Sequence, residues 1–132
     1  MEEVSLRSAV KARADYETSD LRQRLAKYHK NVDATFWGWD NIWLDPFFRT
    51  WNLESYLPQI RGPVLLIQGE QDEYGTIAQL DATRARMPRT EVLSLLNCDH
   101  SPHSDHPETV LARITAFIAE LAPAGVGPAT AR

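Results

Sequence analysis

The chain has 132 residues, with 14 Lys+Arg against 18 Asp+Glu, a net charge of −4 and 43% hydrophobic residues. This balance excludes wholesale disorder, and no apolar run approaches the ~18 residues of a membrane span. No Lys/Arg cluster offers nucleic acid an electrostatic footprint, and one Cys cannot form an internal disulfide.

No basic and then apolar leader opens the chain, so a reduced, cytoplasmic setting is expected. The length allows one domain with a core, or a piece of something larger. No internal repeat is present. The first thirty residues read as polar helix, with Leu21, Leu25 and Tyr28 at i, i+4, i+7 and Ser19 placed as an N-cap. Nine of the twelve aromatics then lie between Tyr28 and Tyr56, and Phe36, Trp39 and Trp43 share a helical face. Asp45-Pro46 should break this helix, and Asn52 can cap a short one through Leu57. Residues 1–57 thus form a helical, aromatic-rich segment.

From Pro63 the pattern changes. Val64, Leu65, Leu66 and Ile67 form an unalternating apolar run closed by Gly69, as a parallel strand buried on both faces requires. Thr76 can cap a helix to about Arg86, ended by Met87-Pro88. Val92 to Leu96 reads as a second strand, and Asn97 to His106 as a loop. Pro107 suits a first helical position, and Val110, Leu111, Ile114, Phe117, Ile118 and Leu121 make an amphipathic stripe. Residues 58–121 therefore read β-α-β-α, and 122–132, rich in Ala, Gly and Pro, as a disordered tail. Two strands alone leave open edges and uncovered faces, so the sheet reads as incomplete.

In open parallel sheets, ligands bind beyond the carboxyl ends of the strands. Gly69–Thr76 and Cys98–His103 would occupy those ends side by side, one carrying Asp72 and the other His100. A carboxylate on one imidazole nitrogen fixes the tautomer and frees the other nitrogen to take a proton. Glu73 is a weaker candidate for the acid, and Glu70 reads as a solvated turn residue. Asp72 alone would read as a turn residue bonding backbone amides, and His100 alone as a loop His. Their pairing favours the relay.

On these residues, the stretch from about Leu53 to Leu121 resembles the C-terminal part of the α/β-hydrolase fold family. There the penultimate strand ends in a Gly-x-x-Asp turn and the last strand in a His before the final helix. Gly69-Glu70-Gln71-Asp72 matches the first. Cys98-Asp99-His100-Ser101-Pro102, followed by Pro107-Glu108, matches the second. The resemblance implies the C-terminal portion of a mostly parallel α/β sheet preceded by helical cap segments. It makes Asp72 the triad acid and His100 the general base, with no metal or cofactor required. Trp37, Trp39 and Trp43 of the cap-like segment would contact a small hydrophobic acyl substrate, although aromatics at helical spacing also serve as core. The implied reaction is hydrolysis of an ester, thioester or related acyl compound.

Two features depart from the family. Asp99 replaces the usual Gly before the His, and Asp tolerates left-handed backbone better than most residues. None of the seven Ser residues lies in a G-x-S-x-G elbow, so this chain supplies no nucleophile and is expected to be inactive alone. A complementing N-terminal hydrolase chain is one expected partner. The contrasting expectation is a non-catalytic module that self-associates through its exposed sheet edge. A metal-dependent hydrolase using His100, His103 and His106 is disfavoured, because Pro102 opposes a helix that would converge them. Cys98, ending a strand, reads as a small buried residue rather than a thiolate nucleophile.

Overall fold

The computed structural model describes residues 1–87 and 89–121. Pro88 and the expected tail at 122–132 lie outside them. The N-terminal part is helical. Helix α1 spans Glu3–Thr18, α2 Leu21–Leu25 and α3 Val32–Leu44. Two 3-10 turns follow, Pro46–Thr50 and Glu54–Gln59.

Local sequence explains these boundaries. Ser19 closes α1, its N–H and Oγ both donating to the Asp15 carbonyl at 2.9 and 2.5 Å. Its Oγ also accepts from the Leu21 N–H at 3.2 Å, but Asp20 holds the N-cap position of α2. Ser19 thus bridges two helices rather than simply starting one. Asn31 caps α3 by accepting from the Ala34 N–H at 3.1 Å. The break at Asp45-Pro46 is present, because Asp45 accepts from the Phe47 N–H at 2.8 Å and Pro46 opens the next turn. Leu53, not Asn52, holds the N-cap position of the second turn, although Asn52 Oδ1 accepts from the Glu54 N–H at 2.6 Å just before it.

The second half is β-α-β-α. Strand β1 is Val64–Gly69, α4 is Ala78–Arg86, and β2 is Thr90–Leu95. The strands are parallel, in a register running from Val64 opposite Thr90 to Gly69 opposite Leu95. Leu96, expected inside the second strand, lies beyond it and is exposed. Val64 to Ile67 are only half-buried, so the expected burial on both faces is incomplete. Among the described residues the sheet has two strands.

Helix α5, Pro102–Asp105, occupies what reads in sequence as loop. Pro102 stands at its first turn, where a missing N–H costs nothing, so this proline starts a helix instead of preventing one. Helix α6 runs Pro107–Leu121, and its stripe is only partly used: Val110 is buried, whereas Leu111, Ile118 and Leu121 are exposed. Two small cores result among the described residues. Tyr16, Val32 and Phe36 join α1 to α3, with Tyr16 and Phe36 stacked at 3.7 Å. Leu95, Cys98 and Val110, with Ile67 and Leu93, hold α6 on the sheet. Tyr28 is exposed and adds nothing to the Leu21 and Leu25 contact.

Candidate active site

The register places the ends of β1 and β2 side by side, and the loops beyond them are zipped together. Glu70 N–H donates to the Leu95 carbonyl at 2.9 Å, and Gln71 N–H to the Cys98 carbonyl at 3.0 Å. Cys98 N–H returns a bond to Gln71 Oε1 at 2.9 Å. Gly69 permits this approach. A Cβ there would lie 2.1 Å from the Cys98 oxygen and 2.3 Å from the Asp99 oxygen, both backbone atoms that cannot yield. The left-handed residue of the second loop is Asn97, at φ 52°, rather than Asp99. Asn serves because its short polar side chain tolerates that region.

These contacts bring Asp72 to His100. Nδ1 of His100 lies 3.0 Å from Oδ1 and 3.1 Å from Oδ2 of Asp72. The carboxylate is mostly shielded, with 11% of its side chain exposed, while His100 keeps 58%. Tyr74 N–H donates to Asp72 Oδ1 at 2.8 Å and closes the turn. With the proton on Nδ1 donated to the carboxylate, Nε2 keeps its lone pair and is the basic nitrogen.

His100 borders a cavity of about 860 Å³. Ile67, Gln68, Asp72 and Tyr74 line it from the strand side, while Trp39, Trp43, Phe48 and Trp51 line it from the helical segment. Trp37 does not line it. Two residues from Trp39, and so about 200° away around the helix, it packs beside Phe36 onto α1. There its ring meets Tyr16 edge-on at 5.4 Å and lies under the Arg13 guanidinium.

The remaining candidates separate cleanly. Glu73 uses its backbone carbonyl, which accepts from Ser8 Oγ at 2.6 Å. Glu70 accepts from Ser94 Oγ at 2.9 Å. His106 Nε2 is bonded to the Asn97 carbonyl at 3.1 Å. Among the described residues no three His, Cys, Asp or Glu converge as a metal site. Cys98 is buried, and desolvation pushes its thiol above the ordinary range, which favours the unreactive protonated form at neutral pH.

Several site residues escape sequence reading. Gln68 interrupts the apolar run because its buried amide donates to the Gly75 carbonyl at 2.6 Å, bracing the loop from inside. Three residues near the start of α1 grip the same loop. Ser5 Oγ donates to the Tyr74 carbonyl at 2.5 Å, and Ser8 holds Glu73. Glu2 accepts from Thr76 N–H at 2.8 Å and Gln79 Nε2 at 2.6 Å. Burial raises the Glu2 carboxyl, but these donors outweigh it and leave it below its usual value. The i, i+3 spacing of Ser5 and Ser8 was the available signal for a polar face on α1, but nothing in it names the partner.

No protein-family model matches the chain. Over 76 residues it is 30% identical to a pimeloyl-[acyl-carrier protein] methyl ester esterase of Stenotrophomonas maltophilia (strain K279a), covering 58% of this chain and 29% of the esterase. A crystallised membrane phospholipase A, described as a bacterial virulence factor, superposes with a TM-score of 0.56 at 28% identity. That match covers 66% of this chain and 27% of the phospholipase. An esterase from Rhodococcus sp. ECU1013 superposes with a TM-score of 0.55 at 18% identity, covering 89% of this chain and 49% of the esterase. The chain carries part of the α/β-hydrolase fold. It spans less than half the length of each of these relatives. A partial α/β-hydrolase fold accounts for the parallel pair, its connecting helix and the half-covered strand faces.

Proposed function

We propose that this chain supplies the acid and base of a serine α/β-hydrolase relay. Asp72 is the acid, His100 the base, and the nucleophile lies outside these 132 residues. The observation carrying this reading is the contact of His100 Nδ1 with both Asp72 oxygens, at 3.0 and 3.1 Å, beyond adjoining parallel strands. In the reaction, His100 Nε2 takes the proton of an incoming Ser hydroxyl while the Ser oxygen bonds the acyl carbon. Asp72 stabilises the imidazolium so formed. The proton passes to the leaving alcohol or thiol, and water then releases the acyl group by the same route.

The aromatic wall of Trp39, Trp43, Phe48 and Trp51 supports a hydrophobic acyl substrate, and the helices of residues 1–57 act as the cap that bears it. The test is reconstitution. The pure chain is expected to hydrolyse p-nitrophenyl butyrate no faster than its His100→Ala variant. Mixing with an N-terminal hydrolase chain bearing a G-x-S-x-G elbow should give turnover and labelling of that Ser by a fluorophosphonate. His100→Ala should reduce turnover by on the order of 10⁶-fold. Turnover by the unmixed chain, lost in His100→Ala, would refute the external nucleophile. Reconstituted turnover indifferent to His100 would refute the relay.

A second reading rests on a separate observation. Leu96 and Leu111 are each 66% exposed and Ile118 is 60% exposed, and β1 has a neighbour on one side alone among the described residues. These surfaces suit association with another chain, either a second copy or the complementing half.

A further inference from the structure

The acid loop presents its next-but-one residue to both members of the couple. Tyr74 N–H donates to Asp72 Oδ1 at 2.8 Å, the oxygen that His100 Nδ1 meets at 3.0 Å. The Tyr74 ring lies 4.8 Å from the imidazole, tilted by 59°, and Trp39 packs edge-on behind it at 6.4 Å. The Tyr74 carbonyl is anchored by Ser5 Oγ from α1. Main chain and side chain of one residue therefore fix the carboxylate and one face of the ring it orients. Among the described residues the Tyr74 phenol makes no hydrogen bond, and burial pushes its ionisation above the usual value, so it faces the imidazole as a neutral ring.

We infer that Tyr74 is a positioning residue for the Asp72–His100 couple, holding the imidazole plane with its ring and the carboxylate with its amide. The inference rests on the relay reading, since a ring that positions His100 matters only if His100 is the base. The ring acts by occupying space and by attraction between aromatic planes. Without it the imidazole has one fewer wall and turns away from Asp72, after which its tautomer is no longer dictated. The phenol oxygen plays no part, so Phe should replace Tyr.

The experiment is long-range ¹H–¹⁵N spectroscopy on the ¹⁵N-histidine-labelled full chain, at a pH where the imidazole is neutral. In the wild-type chain His100 is expected as the Nδ1–H tautomer, with nuclear Overhauser contacts from its ring protons to the Tyr74 ring. In Tyr74→Leu, which keeps the amide, the ratio of Nδ1–H to Nε2–H tautomer should fall roughly two- to tenfold, the effect of losing one aromatic contact. Tyr74→Phe should restore it. A tautomer ratio unchanged in Tyr74→Leu, with the wild-type signature intact, would sink the role of Tyr74 and leave the relay standing. A wild-type chain lacking the Nδ1–H signature would sink the relay itself. Should Tyr74→Leu not fold, the wild-type contacts decide, because their absence removes the ring from His100.

Discussion

Asp33 shows how one exposed carboxylate comes to stabilise the helical segment. It receives Arg22 through Nε at 2.8 Å and Nη2 at 2.6 Å, and the Tyr16 hydroxyl at 2.7 Å. Those hydrogen bonds, Arg22 first, hold its carboxyl at about 2. A carboxyl depressed on folding contributes stability above its unfolded value and loses it as pH falls through the folded one. The contribution should therefore be full above about pH 4 and gone near pH 2. Urea midpoints measured across that window should fall more steeply for the wild-type chain than for Asp33→Asn, and parallel curves would contradict the assignment. Asp40 differs in kind. Wholly buried, it pairs one oxygen with Arg13 at 2.6 Å while the other finds no partner among the described residues, so it ties α3 to α1 at a desolvation cost.

Among the elements, the meeting of the two strand-end loops is the most exacting contact. Gly69 is required there by crowding against the Cys98 and Asp99 carbonyls. Gly69→Ala should destabilise the chain by about 1–3 kcal/mol through forced displacement of backbone, and should separate Asp72 from His100. Gly38, inside α3 with nothing within 4 Å of an added Cβ, sets the contrast. Gly38→Ala should stabilise by about 0.5–1 kcal/mol, because Gly costs a helix more entropy than Ala. Denaturant unfolding of the two variants checks both signs, and equal midpoints would show that local crowding does not govern the loop junction.

For the whole molecule, covered surface is what runs short. Helix α6 buries Val110 against the sheet yet leaves Leu111 66%, Ile118 60% and Leu121 50% exposed. Apolar faces of this kind mark contact sites. Sedimentation velocity over a concentration series should show association, which Leu111→Lys with Ile118→Lys should abolish while circular dichroism stays unchanged. A wild-type chain that remains monomeric throughout, and that also ignores a complementing hydrolase chain, would argue against the face as an interface. Among the described residues no helix is long and apolar enough to cross a membrane.

Much of this arrangement was written locally. An unalternating Val-Leu-Leu-Ile run, a Gly-x-x-Asp turn, a His after the second strand and the stripe of α6 suffice for β-α-β-α and for placing Asp72 and His100 on adjoining loops. Those signals depend on neighbours in sequence. What only the tertiary structure decided depends on neighbours in space: that α1 grips the acid loop through Ser5 and Ser8, that Trp39 and Trp43 face the cavity while Trp37 turns to Arg13, and that Tyr74 lies against His100. Helical periodicity says which residues share a face. The surface that face meets is set by packing between segments distant in the chain, 69 residues apart for Ser5 and Tyr74, and one-dimensional patterning does not encode such contacts.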